Sequence, residues 1–329
     1  MKKQSKRKTT NFKSSILLLL LMAVLLISST YAWFTANQTV TISSIQVNVK
    51  ASNGLQISTD GTNWKPVIQN ADLIANIATS YPTNTNQVPT EMAPVSTDGS
   101  VTSGKLNLYY GQVTTSGSDY ILTASKETDT KGTIGRYIVF DIFLKVDADT
   151  PIYLTPNSKV EKVGDNDVGL QNAARVAFIN EGTAAASESL TTIQALNSGS
   201  TSAIWEPNNI SHTDAAKNNA KNNYGFSDSD FTSVLPYYGV KDEISSADNI
   251  PLQQLTTKTA NPNAEKFAKV TPTYSTVASF PSNVSFTTLT TGITKYRVYM
   301  WIEGQDVDCD NSASGTDITY SLQFTATNG

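Results

Sequence analysis

The chain has 329 residues, 24 Lys+Arg against 28 Asp+Glu, one cysteine and one histidine, enough length for one large domain or two small ones. A single thiol, Cys309, excludes an internal disulfide, and a single imidazole, His212, excludes HExxH chemistry and His- or Cys-rich zinc sites. No Walker loop, GxGxxG fingerprint or GxSxG elbow occurs, so nucleotide binding and α/β-hydrolase chemistry lack their usual signatures.

Residues 1–32 read as a secretory leader. Lys2, Lys3, Lys6, Arg7, Lys8 and Lys13 form a basic flank without an acid, followed by the apolar run 16–27. Twelve helical residues cover about 18 Å, short of the roughly 30 Å hydrocarbon core. Thr30 and Ala32 then supply small side chains at the −3 and −1 positions of a signal-peptidase site. Tyr31, Ala32, Trp33 and Phe34 extend the apolar run, so an uncleaved anchor is the competing expectation. Without the six leader bases, 18 Lys+Arg face 28 Asp+Glu, a net charge of −10. Such a balance argues against nucleic acid, whose phosphates need basic patches, and is compatible with cation binding. Membrane contact is expected only through the leader, and residues 33–329 are expected to be a secreted or cell-surface domain.

That domain reads as all-β. Val40 and Ile42 share one parity and Ile45, Val47 and Val49 the other, which a bulge at Ser43-Ser44 would place on one face. Residues 55–58 and 64–68 flank the Gly-containing turn 59–63 as a hairpin. Further strands are expected at 105–110, 120–124, 152–155, 175–179, 202–205, 267–273 and 284–288. The clearest alternation is Ile138, Phe140, Ile142, Leu144 and Val146. Tyr296, Val298, Met300 and Ile302 repeat it, as do Ile318, Tyr320, Leu322 and Phe324. These are expected to be half-buried strands, the last two forming an antiparallel hairpin across 304–316. Residues 69–103 and 240–265 read as long loops. Thr213 is placed to cap a short helix over 214–220, and the neighbouring His212 reads as a solvated loop residue. The simplest architecture is a two-sheet antiparallel β-sandwich in which the first and last strands pair.

One cluster suggests chemistry. Asp306, Asp308 and Asp310 alternate, with Asp317 twelfth from Asp306, so four carboxylates could converge on Ca²⁺. Strand flanks and Asn311 at the turn-glycine position exclude an EF-hand. A hairpin-loop Ca²⁺ site therefore stands beside a solvated acidic turn. Cys309, within it, reads as a small buried residue.

The leader junction Thr30-Tyr31-Ala32-Trp33-Phe34, followed by the strand Ile45-Gln46-Val47-Asn48-Val49, resembles the N-terminus of the TasA/camelysin family. The stretch Tyr299-Met300-Trp301-Ile302-Glu303-Gly304 with the acidic loop is similar to a pattern in secreted proteins bearing such leaders. TasA/camelysin proteins are matrix proteins of Gram-positive biofilms, exported with leaders cut by a dedicated endoplasmic-reticulum-type signal peptidase. The resemblance implies a jelly-roll-like sandwich and a non-enzymatic role as subunit of a homopolymeric extracellular fibre. It also implies that the N-terminal segment 33–50 can donate a strand, with Val40, Ile42, Ile45, Val47 and Val49 as plugging residues. The same residues could instead form an ordinary edge strand of their own domain. Camelysins have been linked to peptidase activity, which no metal-ligand motif here supports. A second function class is a monomeric adhesin or carbohydrate-binding module using exposed Tyr299 and Trp301 or the acidic loop.

Overall fold

A computed structural model describes residues 39–50, 54–117, 119–165, 168–235, 237–251, 264–309 and 315–327. The leader, including Thr30 and Ala32, and Asp310 lie outside the described residues. The strands are β1 (Val40–Lys50), β2 (Gln56–Ser58), β3 (Trp64–Lys65), β4 (Val67–Gln69), β5 (Glu91–Met92), β6 (Val101–Thr102) and β7 (Lys105–Leu106). They continue with β8 (Tyr109–Ser116), β9 (Asp119–Lys126), β10 (Ile138–Val146), β11 (Thr150–Leu154), β12 (Lys159–Val163), β13 (Ala174–Ala184) and β14 (Ser202–Glu206). The last seven are β15 (Tyr237–Val240), β16 (Ile250–Pro251), β17 (Phe267–Val270), β18 (Tyr274–Ser275), β19 (Val284–Leu289), β20 (Gly292–Ile302) and β21 (Thr316–Thr325). Short helices are α1 (Asn70–Leu73), α2 (Leu190–Gln194) and α3 (Asp214–Tyr224). No helix among the described residues is long and apolar enough to cross a membrane.

Two seven-stranded sheets form the all-β sandwich that the alternation predicts. One runs β19-β11-β21-β1-β4, with β12 also on β21 and β5 also on β1; the other runs β18-β14-β13-β20-β10-β2-β3. Their facing sides interleave the even-numbered residues of β10 and Tyr296, Val298, Met300 and Ile302 of β20 with Ile45, Val47 and Val49 of β1 and Ile318, Tyr320, Leu322 and Phe324 of β21. The sandwich is mixed rather than wholly antiparallel, because β1 runs parallel to β21 and β14 parallel to β18. First and last strands pair as expected, apolar opposite apolar: Ile45 with Tyr320, Val47 with Leu322, Val49 with Phe324. The register shifts between Ile42 and Ser44, so both apolar sets of β1 point inward. The Ile45 amide donates to Asn70 Oδ1 at 2.7 Å beside this bulge.

Two expectations are corrected. The strands at 296–302 and 318–324 do not form a hairpin: β20 lies between β10 and β13, while β21 belongs to the other sheet. Both edges of β20 carry ladders of nine and ten pairs, leaving β21 no place beside it. Nor are β10 and β20 half-buried, since both are covered on both faces. A third layer lies over the outer face of the second sheet. Val95, Leu106, Leu108, Tyr237 and Val270 pack there against Val139, Ala177, Ile179, Tyr299 and Trp301. A satellite core behind it gathers Tyr224 of α3 with Phe226, Phe231, Leu235 and Val307. Tyr299 and Trp301 are thus fully buried, not an exposed aromatic platform.

Local chemistry places the turns and helix ends. Thr213 caps α3 by accepting from the Ala216 amide at 3.1 Å, and Gly225 ends it with a left-handed φ of 76°. In the β2–β3 turn, Asp60 Oδ1 accepts from the amides of Thr62 and Asn63 at 3.0 and 2.8 Å, and Oδ2 from the Ser80 hydroxyl at 2.5 Å. Burial opposes ionisation of Asp60, but these donors outweigh it and hold its pKa at about 2. An unfolded aspartate titrates at about 3.9. Because the folded value is the lower one, the contribution is complete above pH 4 and disappears as pH falls toward 2. Calorimetric melting temperatures should drop through that window, and Asp60→Asn should flatten this part of the curve.

Candidate functional site

Alternation along the second sheet sends Lys295, Arg297 and Glu303 of the β20 segment to its outer face, with Asp141 of β10, Arg175 and Glu181 of β13 and Glu206 of β14. All of these are buried. Buried charges need partners, and here they gather into two groups at opposite ends of the strands.

The first group surrounds a cavity of about 630 Å³ lined by Tyr81, Thr85, Lys105, Glu181, Gln194 and Lys295 among others. Asp141 stands at its centre. Its carboxylate accepts from Arg297 Nη1 at 2.7 Å and the Tyr81 hydroxyl at 2.9 Å, with Lys295 Nζ 3.3 Å away. Arg297 Nη2 also donates to Asp129 Oδ2 at 2.8 Å, where the Tyr299 hydroxyl donates at 2.9 Å. Burial works against the Asp141 carboxylate, yet Arg297 and Lys295 outweigh it and lower its pKa. Glu181 Oε2 accepts from the Gly199 amide at 3.0 Å, and burial raises its pKa. Gly104 leaves room for that carboxylate: a Cβ there would sit 2.6 Å from Glu181 Oε2, and φ is +75°. The cavity has the volume of a small-molecule site, with its cations already engaged in ion pairs.

The second group is closed. Arg175 Nη2 donates to Glu206 Oε1 at 2.6 Å and to Asp306 Oδ2 at 2.5 Å, while Nη1 donates to the carbonyls of Asn172 and Ala174, each at 3.0 Å. Asp308 reaches across to the approach of α3. Its Oδ2 lies 2.6 Å from His212 Nδ1, and its Oδ1 accepts from the Thr213 amide at 3.0 Å. The Asp308 amide donates to Asp306 Oδ1 at 2.8 Å. Glu303 accepts from Trp301 Nε1 and the Gln305 amide, both at 3.0 Å. Burial pushes Glu206 and Glu303 up to about 7 and Asp308 up to about 6. For His212 burial works the other way, but the Asp308 contact outweighs it and raises its pKa.

The expected four-carboxylate Ca²⁺ loop is therefore rearranged. Asp306 and Asp308 converge, but with His212 rather than with Asp317, which sits on β21 in the other sheet opposite Val163 and Thr41. His212 is not a solvated residue: its side chain is 4% exposed and its partner is an equally buried carboxylate. Cys309 is buried in the main core, as its size suggested. Arg175, Glu206, Asp141 and Arg297 were not identified from sequence. Their signal was a charge inside an otherwise apolar strand, as with Asp141 between Phe140 and Ile142.

The plugging residues of β1 form a third feature. Val40, Ile42, Ile45, Val47 and Val49 are each 8% exposed or less. β1 is not an edge strand, having β21 on one side and β4 and β5 on the other. No protein-family model, curated protein or solved structure matches the chain.

Proposed function

We propose that this chain is an exported, non-enzymatic structural subunit that assembles into extracellular fibres or biofilm matrix by exchanging β1 between copies. The placement of β1 carries the reading. It is the first described strand, it completes a sheet from both sides, and its side chains fill the main core. A terminal strand with these properties can complete a neighbour's sheet through the same main-chain hydrogen bonds and the same pockets. Exchange of an identical element is a low-cost route from monomer to assembly. The basic, apolar leader and the junction at Thr30 and Ala32 fit export by a signal peptidase and a free N-terminal segment thereafter.

The parallel β1–β21 ladder supplies the test. Gln46 lies opposite Ser321 on the outer face, so cysteines at both positions can be bridged by a short thiol crosslinker. In fibres formed by residues 33–329, exchange gives a ladder of covalent oligomers on denaturing gels. Crosslinking confined within single chains, in protein that stays monomeric at all concentrations, overturns the proposal. That outcome would favour the monomeric adhesin, with the polar cavity as its binding surface.

A further inference from the structure

We propose that the buried group formed by His212, Asp306 and Asp308 is a structural site for a divalent transition-metal ion of the zinc class. One donor atom from each of the three lies within 4.8 Å of the others. Donors bound tetrahedrally to one ion at about 2.0–2.2 Å stand about 3.3–3.6 Å apart, so binding would draw these side chains together by about an ångström. The residues come from two segments, the β20–β21 connection and the approach to α3, which the ion would tie together.

An independent observation points to a missing ligand. Among the described residues, His212 Nε2, Glu206 Oε2, the Tyr237 hydroxyl and both amide atoms of Gln305 are buried without a hydrogen-bond partner. Glu206 is 3% exposed and Gln305 1%. Both border the group: Glu206 shares Arg175 Nη2 with Asp306, and Gln305 precedes Asp306 in the chain. Buried polar atoms are almost always satisfied by protein, ordered water or an ion. Charge makes the same argument. Glu206, Glu303, Asp306 and Asp308 are four buried carboxylates, and among the described residues Arg175 and His212 are the basic side chains bonded to them. An excess of buried negative charge is unfavourable unless a cation balances it.

The donor set selects the metal. Ca²⁺ takes oxygen ligands, whereas an imidazole with carboxylates suits Zn²⁺ and its neighbours. The acidic loop thus reads differently from the all-oxygen site expected of alternating aspartates. Asp308 Oδ2 already lies 2.6 Å from His212 Nδ1, so an ion taken by this pair would replace that hydrogen bond.

His212 is the chain's only histidine, so the wild-type protein, prepared without a histidine tag, reports directly. Residues 33–329 should bind close to one equivalent of Zn²⁺ after dialysis. The single pair of imidazole ¹⁵N resonances should shift on its addition, and the melting temperature should rise as a native-state ligand requires. Co²⁺ should give visible ligand-field bands. His212→Gln should abolish those bands and the Zn²⁺-dependent rise in melting temperature, and Asp317→Asn should leave both intact. Unchanged imidazole resonances with excess Zn²⁺, or a melting temperature raised by Ca²⁺ but not by Zn²⁺, would overturn the proposal. The resonance measurement stands even if the His212→Gln variant fails to fold.

Discussion

Val47→Asp should cost the monomer about 4 kcal/mol or more, a large part of the 5–15 kcal/mol that holds a typical domain together. Val47 is fully buried between the sheets, opposite Leu322 on β21 and Ile68 on β4. A carboxylate there would have apolar neighbours on both strands and no cation opposite, the costly case for a buried charge. Gln46→Glu on the same strand should change stability by less than about 0.5 kcal/mol, because Gln46 points to solvent. The contrast separates loss of the plug from a general effect of added charge. The same logic extends to trans complementation. A chain lacking residues 1–50 should regain cooperative unfolding when a peptide of residues 39–50 is added, and the Val47→Asp peptide should fail. A truncated chain that melts like the full domain would mean that the slot needs no strand, and exchange would then have no driving force.

Arg175→Met should be nearly as damaging, by about 3–5 kcal/mol, although it swaps a charge for an apolar side chain of similar length. The guanidinium bridges Glu206 and Asp306, caps two backbone carbonyls and lies 5.2 Å from the Tyr237 ring centroid. Its removal strands two buried carboxylates. Arg175→Lys should recover only part of the loss, since one ammonium cannot hold both acids and both carbonyls in the planar fork. In a double-mutant cycle with Glu206→Gln, the combined loss should fall well short of the sum of the single losses. Urea titrations at pH 7 give these values from midpoints at a constant slope. Strict additivity would show that Arg175 and Glu206 do not act as a pair.

The sequence exposed the inner core more readily than the outer one, for a definite reason. Alternation from Ile138 to Val146 identifies which residues share a face, and those residues do meet β1 and β21 in the main core. Alternation says nothing of what lies over the opposite face. The covering layer is built from short pieces such as Leu106, Leu108, Tyr237 and Val270, too short for their pattern to show which face they cover. Asp141 and Arg297 were the available hint. They face each other in register on adjacent strands, a pairing that means most where water is excluded. The bulge at Ser43-Ser44 was legible because a change of parity in one strand has few other solutions. The partner of β20 was not, since parity carries no information about which sheet a strand joins. His212 looked solvated because its neighbours in sequence are polar; its partner Asp308 is remote in the chain.

The pairing of β1 with β21 also sets a clock. Each rung of that ladder joins residues about 275 positions apart, so its formation carries a large loop-closure cost and belongs among the late, slow events of folding. In synthesis from the N-terminus, β1 is made long before its parallel partner β21. Until β21 arrives, five apolar side chains and a row of amides and carbonyls wait without their ladder. That interval is when a neighbouring chain can take the strand instead. Under the proposed strand exchange, the choice between a closed monomer and a linked chain would then depend on the local concentration of folding chains.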